Sequence, residues 1–438
     1  MGKTTVDLSS SALRHLWLRK LADTALGRYW GGLACCGPAN RFDGGLLMNL
    51  AKSWGVSVGF AEPFGDATRR ELEGFRSRGY MLTSGPPEHV LAELPKKPNP
   101  MSLSFLLVKD GAAEAAERMA HRIAPGSVVV CDGGAETRDA LERLASRHGW
   151  VEFEELPAPE GGPPSVWTRP MEARAEEAEA EPDPTAPTVL CYPNSPGGRF
   201  RRMCQMAGYR VSRDPTQGFD LAIKWLGETY TPNDRVLEEL AQATRVINFG
   251  CDDISKTRVE AVHQQVFGYG LIVDPKTYQG PAVVKSNMNA RGGEDVVECP
   301  VEIDYRPYVV YQRRVTTPRE PDEFEEYRVA VTGQRLATAV VKRRPLSDHF
   351  DRSAGYALIT EPDEVLSAAE QAKVLELCTA VGLEFGDLDI LREQGDGRIH
   401  VIDVNPTPGG PGGGYTEEQR QRLVGRQLEI FRQTFSCP

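Results

Sequence analysis

GLEFGDLDILREQGDGRIHVIDVNPTPGGPGGG, residues 382–414, is the stretch that decides the fold of the C-terminal part of this chain. Apolar and acidic residues alternate on both sides of a Gln-Gly-Asp-Gly sequence, which predicts two half-buried strands joined by a turn. A slip of one residue would place aspartates among the aliphatic side chains, so the pattern predicts a three-residue loop, Gly395 to Gly397.

The predicted register concentrates negative charge on one face of this hairpin. It sets Asp389 opposite Asp403 and Asp387 opposite Asn405, with aliphatic side chains on the other face. Like charges that face each other across strands are destabilising, so a positive group is expected beside them. Oxygen ligands at this density suit Mg²⁺, which is usually held by one or two carboxylates together with substrate phosphates. The alternative is a strand face whose charges are solvated.

Length and composition are those of a globular protein, and 438 residues predict about two to three domains. No apolar run approaches the roughly 20 residues of a membrane-spanning helix. The apolar residues near the N-terminus recur at helical spacing but are interrupted by Arg14, Arg19 and Lys20, which predicts an amphipathic surface helix rather than a secretory signal. We therefore expect a cytoplasmic protein that does not bind membranes.

Charge and cysteine usage exclude further classes. A net charge of −11 argues against a nucleic-acid partner, because neutralising a phosphate backbone requires a basic surface. The local cluster from Arg199 to Arg202 is a candidate for binding phosphate. The nine cysteines are scattered without a Cys-x-x-Cys pair, which predicts reduced thiols in the core and gives no support for a zinc site.

The first 171 residues predict an α/β domain with a mainly parallel sheet. Short apolar runs such as Leu103 to Val108 alternate with helical stretches such as Ala135 to His148. Residues 172–187, EARAEEAEAEPDPTAP, are acidic and end in prolines, so they are interpreted as a linker. A second α/β section follows over residues 188–265.

The N-terminal domain resembles the fold of class I S-adenosylmethionine methyltransferases. A glycine-containing turn at Gly31, Gly32 and Gly37 is followed by a strand that ends at Glu62, and the resemblance implies Glu62 as a ribose-binding acid. The alternative is a Rossmann-like, doubly wound scaffold without methyl transfer, because this kind of fold serves many functions.

Two lysines occupy the ends of regular elements in the C-terminal half. Lys256 begins a helix, Lys285 ends an aliphatic strand, and Asn287 to Gly293 follows as a short flexible hairpin. Such lysines can bind nucleotide phosphates under a mobile lid. Taken alone, each is more often a surface residue whose aliphatic stem covers the core.

Further along lie an apolar strand and a hairpin with basic ends. The strand from Tyr308 to Val315 could offer backbone groups to an adenine edge. Arg328 and the group from Lys342 to Arg344 are candidates for binding a triphosphate or a substrate carboxylate, where the planar guanidinium is suited to bidentate contacts.

In this order, the elements resemble the ATP-grasp superfamily of carboxylate-amine ligases over residues 188–438, with the nucleotide- and metal-binding region at 266–438. Residues 326–345, EYRVAVTGQRLATAVVKRRP, are similar to a segment of the ligases that add amino acids to carboxyl ends. Asp403 stands where the family usually carries glutamate, and Gln312 stands where an acidic residue is common. The resemblance assigns Lys256, Lys285, Val310, Gln312 and Arg328 to nucleotide binding, Arg328 and Arg344 to catalysis, and Asp389, Asp403 and Asn405 to the metal.

The resemblance implies an ATP- and Mg²⁺-dependent ligase that joins a carboxylate to an amine through an acylphosphate. Its substrates would be amino acids or peptides, and a homodimer is possible. A second hypothesis is a small-molecule kinase on the same fold, which stops at phosphate transfer. A third is a non-catalytic nucleotide-binding scaffold protein.

Overall fold

The computed structural model describes residues 3–28, 32–54, 56–77, 82–93, 103–153, 156, 165–169, 185–289, 295–302, 308–346, 356–409 and 417–435. Four of the segments discussed above therefore lie partly outside the described residues: Gly31 of the glycine-containing turn, residues 172–184 of the linker, residues 290–293 of the lid, and residues 410–414 at the end of the stretch 382–414. Among the described helices, none is both long and apolar enough to cross a membrane.

The chain divides into two compact units, which are treated separately. The N-terminal unit comprises Asp7–Ala180 and Asp234–Glu239, and the C-terminal unit comprises Met1–Val6, Glu181–Asn233 and Leu240–Pro438.

The N-terminal unit is built on a seven-stranded sheet with the order β3-β2-β1-β4-β5-β7-β6. The first five strands are parallel, and β7 runs antiparallel to both β5 and β6. The strands are β1 Gly32–Cys36, β2 Val58–Ala61, β3 Thr83–Gly85, β4 Leu103–Lys109, β5 Ile123–Asp132, β6 Val151–Glu152 and β7 Ser165–Thr168. The helices are α1 Ser10–Arg28, α2 Arg41–Trp54, α3 Asp66–Ser77, α4 Pro87–Glu93, α5 Ala113–Met119 and α6 Ala135–His148. The predicted mainly parallel α/β organisation is confirmed.

The central strands of this sheet read as continuous apolar runs because both of their faces are buried. Every residue of β2 is buried, and in β4 only Lys109 is partly exposed. The turn after β1 depends on Gly37, whose φ is +95° and whose added Cβ would lie 2.9 Å from the Cβ of Ala112. The end of β1 is thereby held close to the segment that follows β4.

The prediction of an amphipathic surface helix near the N-terminus is wrong. The helix forms as α1, but four consecutive residues, Leu16 to Arg19, are all buried. Consecutive positions point to different sides of a helix, so α1 is buried on more than one face. The Arg19 side chain is also enclosed, 4.0 Å from Asp23, so its charge does not mark an exposed position of the helix.

The C-terminal unit contains three sheets. The first has four parallel strands in the order β11-β10-β8-β9, the second three antiparallel strands in the order β13-β12-β14, and the third five antiparallel strands in the order β17-β16-β15-β18-β19. The strands are β8 Thr188–Pro193, β9 Arg210–Ser212, β10 Leu221–Trp225, β11 Val246–Ile247, β12 Gly280–Ser286, β13 Asp295–Cys299, β14 Val309–Arg313, β15 Glu323–Thr332, β16 Arg335–Pro345, β17 Tyr356–Thr360, β18 Phe385–Arg392 and β19 Ile399–Asn405. The helices are α7 Gly198–Ala207, α8 Arg235–Ala243, α9 Lys256–Phe267, α10 Ala368–Val381 and α11 Glu417–Phe435; α8 has residues in both units.

One face of the five-stranded sheet is apolar and packs into a core with helices α9 and α10. Val329, Leu388 and Val404 contribute to this core from the strands. Gly382, at which α10 ends, has a φ of +75°, and an added Cβ would lie 2.3 Å from the carbonyl carbon of Gly250. The stretch that begins at Gly382 is therefore held tightly at its first residue.

The predicted register of the β18–β19 hairpin is confirmed, whereas the predicted loop length is wrong. Asp389 pairs with Asp403 and Asp387 with Asn405. The last hydrogen-bonded residues are Glu393 and Arg398, which leaves a four-residue loop instead of three. A bulge between Asp389 and Ile390 absorbs the extra residue, so the acidic face keeps its register.

The eight described cysteines are all buried and free, as the sequence predicted for reduced core thiols. Burial raises the pKa of Cys36 and of Cys251 to about 12. These thiols are therefore held in the protonated, unreactive form at neutral pH.

Candidate active site

The polar face of the five-stranded sheet carries a row of charged side chains from four adjacent strands. Strand pairing sets Glu326 opposite Lys342, Arg328 opposite Asp389, and Asp389 opposite Asp403. Opposite charges on facing residues of neighbouring strands stabilise a sheet. The row is therefore partly neutralised by the protein itself.

Arg328 supplies the positive charge that the sequence required beside the aspartates. Its Nε and Nη2 donate to the two carboxylate oxygens of Asp389 at 2.7 Å and 2.6 Å. Burial by itself would lower the pKa of the guanidinium, but Asp389, followed by Asp387 and Glu326, outweighs burial and raises it. Arg328 is thus fixed in orientation and permanently charged.

A second, fully buried ion pair neutralises Asp387. Nη2 of Arg199 donates to Asp387 Oδ1, and both side chains are at most 4% exposed. Arg199 is the second residue of α7 and directly follows the Asn-Ser-Pro-Gly-Gly turn after β8. The sequence marked Arg199 only as part of a basic cluster. No local signal connects it with an aspartate 188 residues away.

Glu326 joins the basic end of β16 to this row. It accepts hydrogen bonds from Lys342 Nζ at 2.8 Å and from Arg344 Nη2 at 3.0 Å. Lys342 also lies 3.7 Å from Asp389 Oδ1, whereas Arg344 lies over the Phe324 ring at 5.0 Å. The predicted residue Arg344 is therefore at the far end of the row, and Lys342 lies between it and Asp389.

Among the described residues, Asp403 is the carboxylate of this row that has a buried oxygen, Oδ1, without a hydrogen-bond partner. Burial raises the pKa of Asp403 to about 6; Lys256 opposes this increase, Asp389 adds to it, and Arg328 and Lys285 also oppose it. The structure thus brings the two predicted lysines and Arg328 into the electrostatic environment of Asp403.

Lys256 is positioned by the start of helix α9. Ser255 caps the helix by accepting the Arg258 amide at 3.2 Å, which places Lys256 at the first helical residue. Its Nζ donates to the Met288 carbonyl at 3.4 Å, and its amide donates to the Asn287 carbonyl at 3.3 Å. The start of α9 is therefore joined to the described beginning of the predicted lid.

Lys285 lies on the three-stranded sheet directly opposite Val310, and Val283 lies opposite Gln312 on the same pair of strands. Because residues two apart share a face, the predicted residues Lys285, Val310 and Gln312 lie on one face of this sheet. Val310 and Gln312 are buried, and Lys285 is partly exposed. The pairing thus places these three residues close together on one face of the sheet.

The residues present are compatible with a bound Mg²⁺. Among the residues that the structure describes, Asp403 offers a buried oxygen without a hydrogen-bond partner, and Asn405 Oδ1 accepts only the Thr407 amide, at 3.1 Å, which leaves one lone pair. Within the described residues, no group of three or more His, Cys, Asp or Glu side chains is arranged to hold a metal. The predicted set has two carboxylates and one amide, so an ion there would also need phosphate oxygens from a substrate.

No protein-family model matches the chain, and no curated protein matches its sequence. Among solved structures, the chain is similar to the ATP-grasp ligase PsnB complexed with a minimal precursor, with 16% identity, 57% of this chain and 99% of that chain covered, and a TM-score of 0.40. The macrocyclase MdnC bound with precursor peptide MdnA from Microcystis aeruginosa MRC has 12% identity, coverage of 57% and 98%, and a TM-score of 0.32. The O-methyltransferase NovP has 14% identity, coverage of 36% and 80%, and a TM-score of 0.26. The structures that the chain resembles thus include ATP-grasp ligases and a methyltransferase.

Proposed function

We propose that this protein is an ADP-forming, ATP-dependent ligase that joins a carboxylate to an amine through an acylphosphate. The observation that carries the proposal is the environment of Asp403. A buried carboxylate with an unpartnered oxygen lies among Lys256, Lys285 and Arg328. This site combines a carboxylate oxygen that could bind a metal ion with three cationic side chains that could bind phosphate. It is therefore suited to a metal-bound polyphosphate.

In the proposed reaction, a substrate carboxylate attacks the γ-phosphate of ATP, which releases ADP and forms the acylphosphate. An amine then attacks the acyl carbon, the carbon–oxygen bond to phosphate breaks, and the amide and inorganic phosphate leave. The amine loses its proton in this step. No protein nucleophile is required, so the protein contributes positioning and charge stabilisation.

The chain's own residues would divide this work by position. Lys256 and Lys285 would neutralise the phosphates as point charges, whereas Arg328, held in a fixed plane by Asp389, would bind the transferring phosphoryl group or the substrate carboxylate. Mg²⁺, when held by Asp389, Asp403 and Asn405, would supply further neutralisation of the phosphate charge.

Other residues have supporting roles in the proposal. Strand β14 would place the backbone of Val310 and Gln312 beside the adenine, and Arg344 would add positive charge at the far end of the row. We assign the nucleotide site to residues 188–438, with a pre-ATP-grasp section at 188–265 and an ATP-grasp region at 266–438. The Rossmann-like domain of residues 1–171 would bind the second substrate, and residues 172–187 would link the two. Eight buried free thiols favour a reducing, cytoplasmic compartment.

The test is turnover of the full chain with ATP, Mg²⁺ and a panel of amino acids and short peptides. A ligase yields ADP, free phosphate and an amide product by mass spectrometry, and ADP release requires both a carboxylate and an amine. A stable phosphorylated product without an amide would instead identify a kinase. ATP binding without amine-dependent turnover on any member of the panel would favour the scaffold hypothesis and contradict the proposal.

A further inference from the structure

The four-stranded sheet of the C-terminal unit has a topological switch point between β8 and β10. In the order β11-β10-β8-β9, the chain passes from β8 to β9 on one side and then returns to β10 on the other side. The two strands are parallel, and at their carboxyl ends Trp225 lies opposite Pro193. In open α/β sheets, ligands bind outside the carboxyl ends of the strands at such a point. The loop after β10, residues 226–229, is therefore at a position where a ligand is expected.

This loop contains a buried acidic residue, Glu228. The residue is 6% exposed, and its Oε2 is buried without a hydrogen-bond partner among the described residues. In the part of the chain that the structure describes, Asp403 is the other carboxylate with such an oxygen. A buried acceptor without a donor is costly unless a ligand or water donates to it. Glu228 is therefore suited to receive a hydrogen-bond donor from outside the protein.

On one side of Glu228, the loop packs against the turn that follows β19. An added Cβ at Gly227 would lie 2.2 Å from Thr407 Oγ1, so only glycine fits there. The amide of Thr407 donates to Asn405 Oδ1 at 3.1 Å. The residue before Glu228 is therefore in contact with the segment that carries a predicted metal ligand.

On the other side of Glu228, the loop is joined to the elements that carry the proposed nucleotide lysines. Thr229 Oγ1 accepts the amide of Asn289 at 2.7 Å. The carbonyl of Thr229 accepts the amide of Ile254 at 2.9 Å, two residues before Lys256. Consecutive Cα atoms are about 3.8 Å apart, so Glu228 is close to both sets of contacts. It thus lies between the metal hairpin and the nucleotide lysines.

The chemistry of the other carboxylates indicates what Glu228 binds. Asp387, Asp389 and Glu326 are already bonded to arginine or lysine side chains, and Asp403 is assigned to the metal. Mg²⁺ requires several oxygen ligands, whereas no group of three or more His, Cys, Asp or Glu side chains is arranged to hold a metal within the described residues. A protonated amine carries a single charge and donates a charge-assisted hydrogen bond to a single carboxylate. An ammonium group is therefore the cation that fits Glu228.

We propose that Glu228 is a further catalytic residue, which binds the amine substrate as its ammonium and accepts its proton. The assignment rests on the ligase function proposed above. The Glu228 carboxylate takes one proton from the ammonium, which gives a carboxylic acid and a neutral amine. The amine attacks the acyl carbon, the carbon–oxygen bond to phosphate breaks, and a second proton from the amine leaves with the phosphate as hydrogen phosphate. Glu228 then returns its proton to solvent.

Trapping of the acylphosphate with hydroxylamine tests this role in the full chain. The parent is incubated at pH 7.5 with ATP, Mg²⁺, the carboxylates of the panel above, and either an amine of that panel or hydroxylamine. Hydroxylamine is mainly unprotonated at this pH, so it attacks an acylphosphate without a proton acceptor. Glu228→Gln is expected to slow amide formation by about 100-fold and to leave hydroxamate formation within about twofold.

Two further variants show whether the charge of Glu228 is responsible. Glu228→Asp keeps a carboxylate and should retain more amide formation than Glu228→Gln. The matched control, Glu376→Gln, changes an exposed glutamate of α10 and should behave as the parent. Glu228→Gln should melt no lower than the parent without substrates, because the amide has the same shape and removes a buried charge.

The dependence on pH separates a proton acceptor from a residue that only supports the fold. In Glu228→Gln, the free amine alone reacts, so the rate of amide formation should rise about tenfold per pH unit while the amine is mainly protonated, and more steeply than in the parent. A normal rate of amide formation in Glu228→Gln, or an equal loss of amide and hydroxamate, overturns the assignment. Failure of the ligase function is distinguishable, because the parent would then form no hydroxamate with any carboxylate.

Discussion

Two charge clusters, one in each unit, combine the same kinds of side chain and differ in what they leave unsatisfied. In the N-terminal unit, Lys109 Nζ donates to Asp43 Oδ2 at 2.7 Å and to Asp132 Oδ2 at 2.5 Å, and Arg14 also bonds to Asp132. Burial alone would lower the pKa of Lys109, but the two aspartates outweigh burial and raise it. In the C-terminal unit, Asp403 is buried with an unpartnered oxygen.

A structural charge cluster differs from a binding site in that its own side chains satisfy all of its charges. Both clusters include strand residues at which a charged side chain stands beside an aliphatic run: Lys109 and Asp132 in the N-terminal unit, and Asp403 in the C-terminal unit. Of the two clusters, the one around Asp403 contains a described, buried oxygen without a hydrogen-bond partner, which a ligand could supply. Burial raises the pKa of Asp403 because the nearby positive charges do not fully offset it. The ion pairs of Lys109 are complete without a ligand, so we interpret them as part of the fold.

The largest expected effect is on stability and comes from Lys109→Met. This substitution removes the shared cation and leaves two enclosed carboxylates facing each other, which should destabilise the N-terminal unit by about 3–5 kcal/mol. Urea unfolding measures this loss. Asp43→Asn, which keeps Lys109 paired with Asp132, should cost clearly less. A Lys109→Met protein as stable as the parent would show that the two clusters do not differ in the way described.

The next effect is on turnover and comes from Asp403→Asn. The amide has the same shape but no charge, and loss of one preorganised electrostatic group typically lowers kcat by about 10²–10³-fold. Because the fold raises the pKa of Asp403, the ionised form is disfavoured in the native state, and the variant should melt no lower than the parent at pH 7.5 without Mg²⁺. ADP release and thermal melting are measured together. Near-normal ADP release at saturating Mg²⁺ would refute the metal assignment.

The sequence could predict the face of the hairpin but not its environment. Alternation of Asp387, Asp389 and Asp403 with aliphatic residues fixes the register, because only one register buries all of the aliphatic side chains on one face. The loop length was wrong because a bulge can absorb one residue without changing that face. Such a bulge depends on local backbone geometry, for which this sequence has no distinct signal.

Contacts between residues that are distant in the chain could not be predicted from the sequence for a different reason. The pairing of Arg199 with Asp387 joins residues that are distant in the chain, and neither residue's neighbours specify the other. Similarly, the charges in α1 indicated an exposed helix, whereas Arg19 is buried. Local pattern indicates which face a residue occupies when one face of the element is solvated, and it fails when a charged side chain is enclosed by the packing of distant segments.

Lys285→Ala is expected to change nucleotide binding in the C-terminal cluster and to leave stability nearly unchanged. Lys285 lies at the end of β12, is partly exposed, and acts on Asp403 through its charge. Its removal should weaken binding of a fluorescent ATP analogue by about tenfold, equivalent to about 1.4 kcal/mol, with little change in melting temperature. The control is Lys276→Ala, an exposed lysine in the turn after Asp274. Unchanged nucleotide affinity in Lys285→Ala would return Lys285 to the class of surface lysines that only cover the core.

The smallest effect concerns a third polar group, His400, which is buried beside a cation instead of an anion. Its Nε2 lies 3.2 Å from Arg313 Nη2, and its ring stacks on His263 at 5.6 Å. Burial, followed by the charges of Arg313 and His263, lowers the pKa of His400 to about 3. Between about pH 6.5 and pH 3, the unfolded chain therefore binds a proton that the folded chain does not. The contribution of His400 to the free energy of unfolding is fully present above pH 6.5 and decreases as pH falls through this window, by at most about 1.4 kcal/mol per pH unit.

His400→Gln, which cannot titrate, should make the melting temperature less sensitive to pH between 7 and 5. His121→Gln, at an exposed position in the N-terminal unit, should keep the parent's dependence of melting temperature on pH. If the melting temperatures of all three proteins depended equally on pH, His400 would gain its proton without cost in the folded state. Burial beside Arg313 would then not keep His400 neutral.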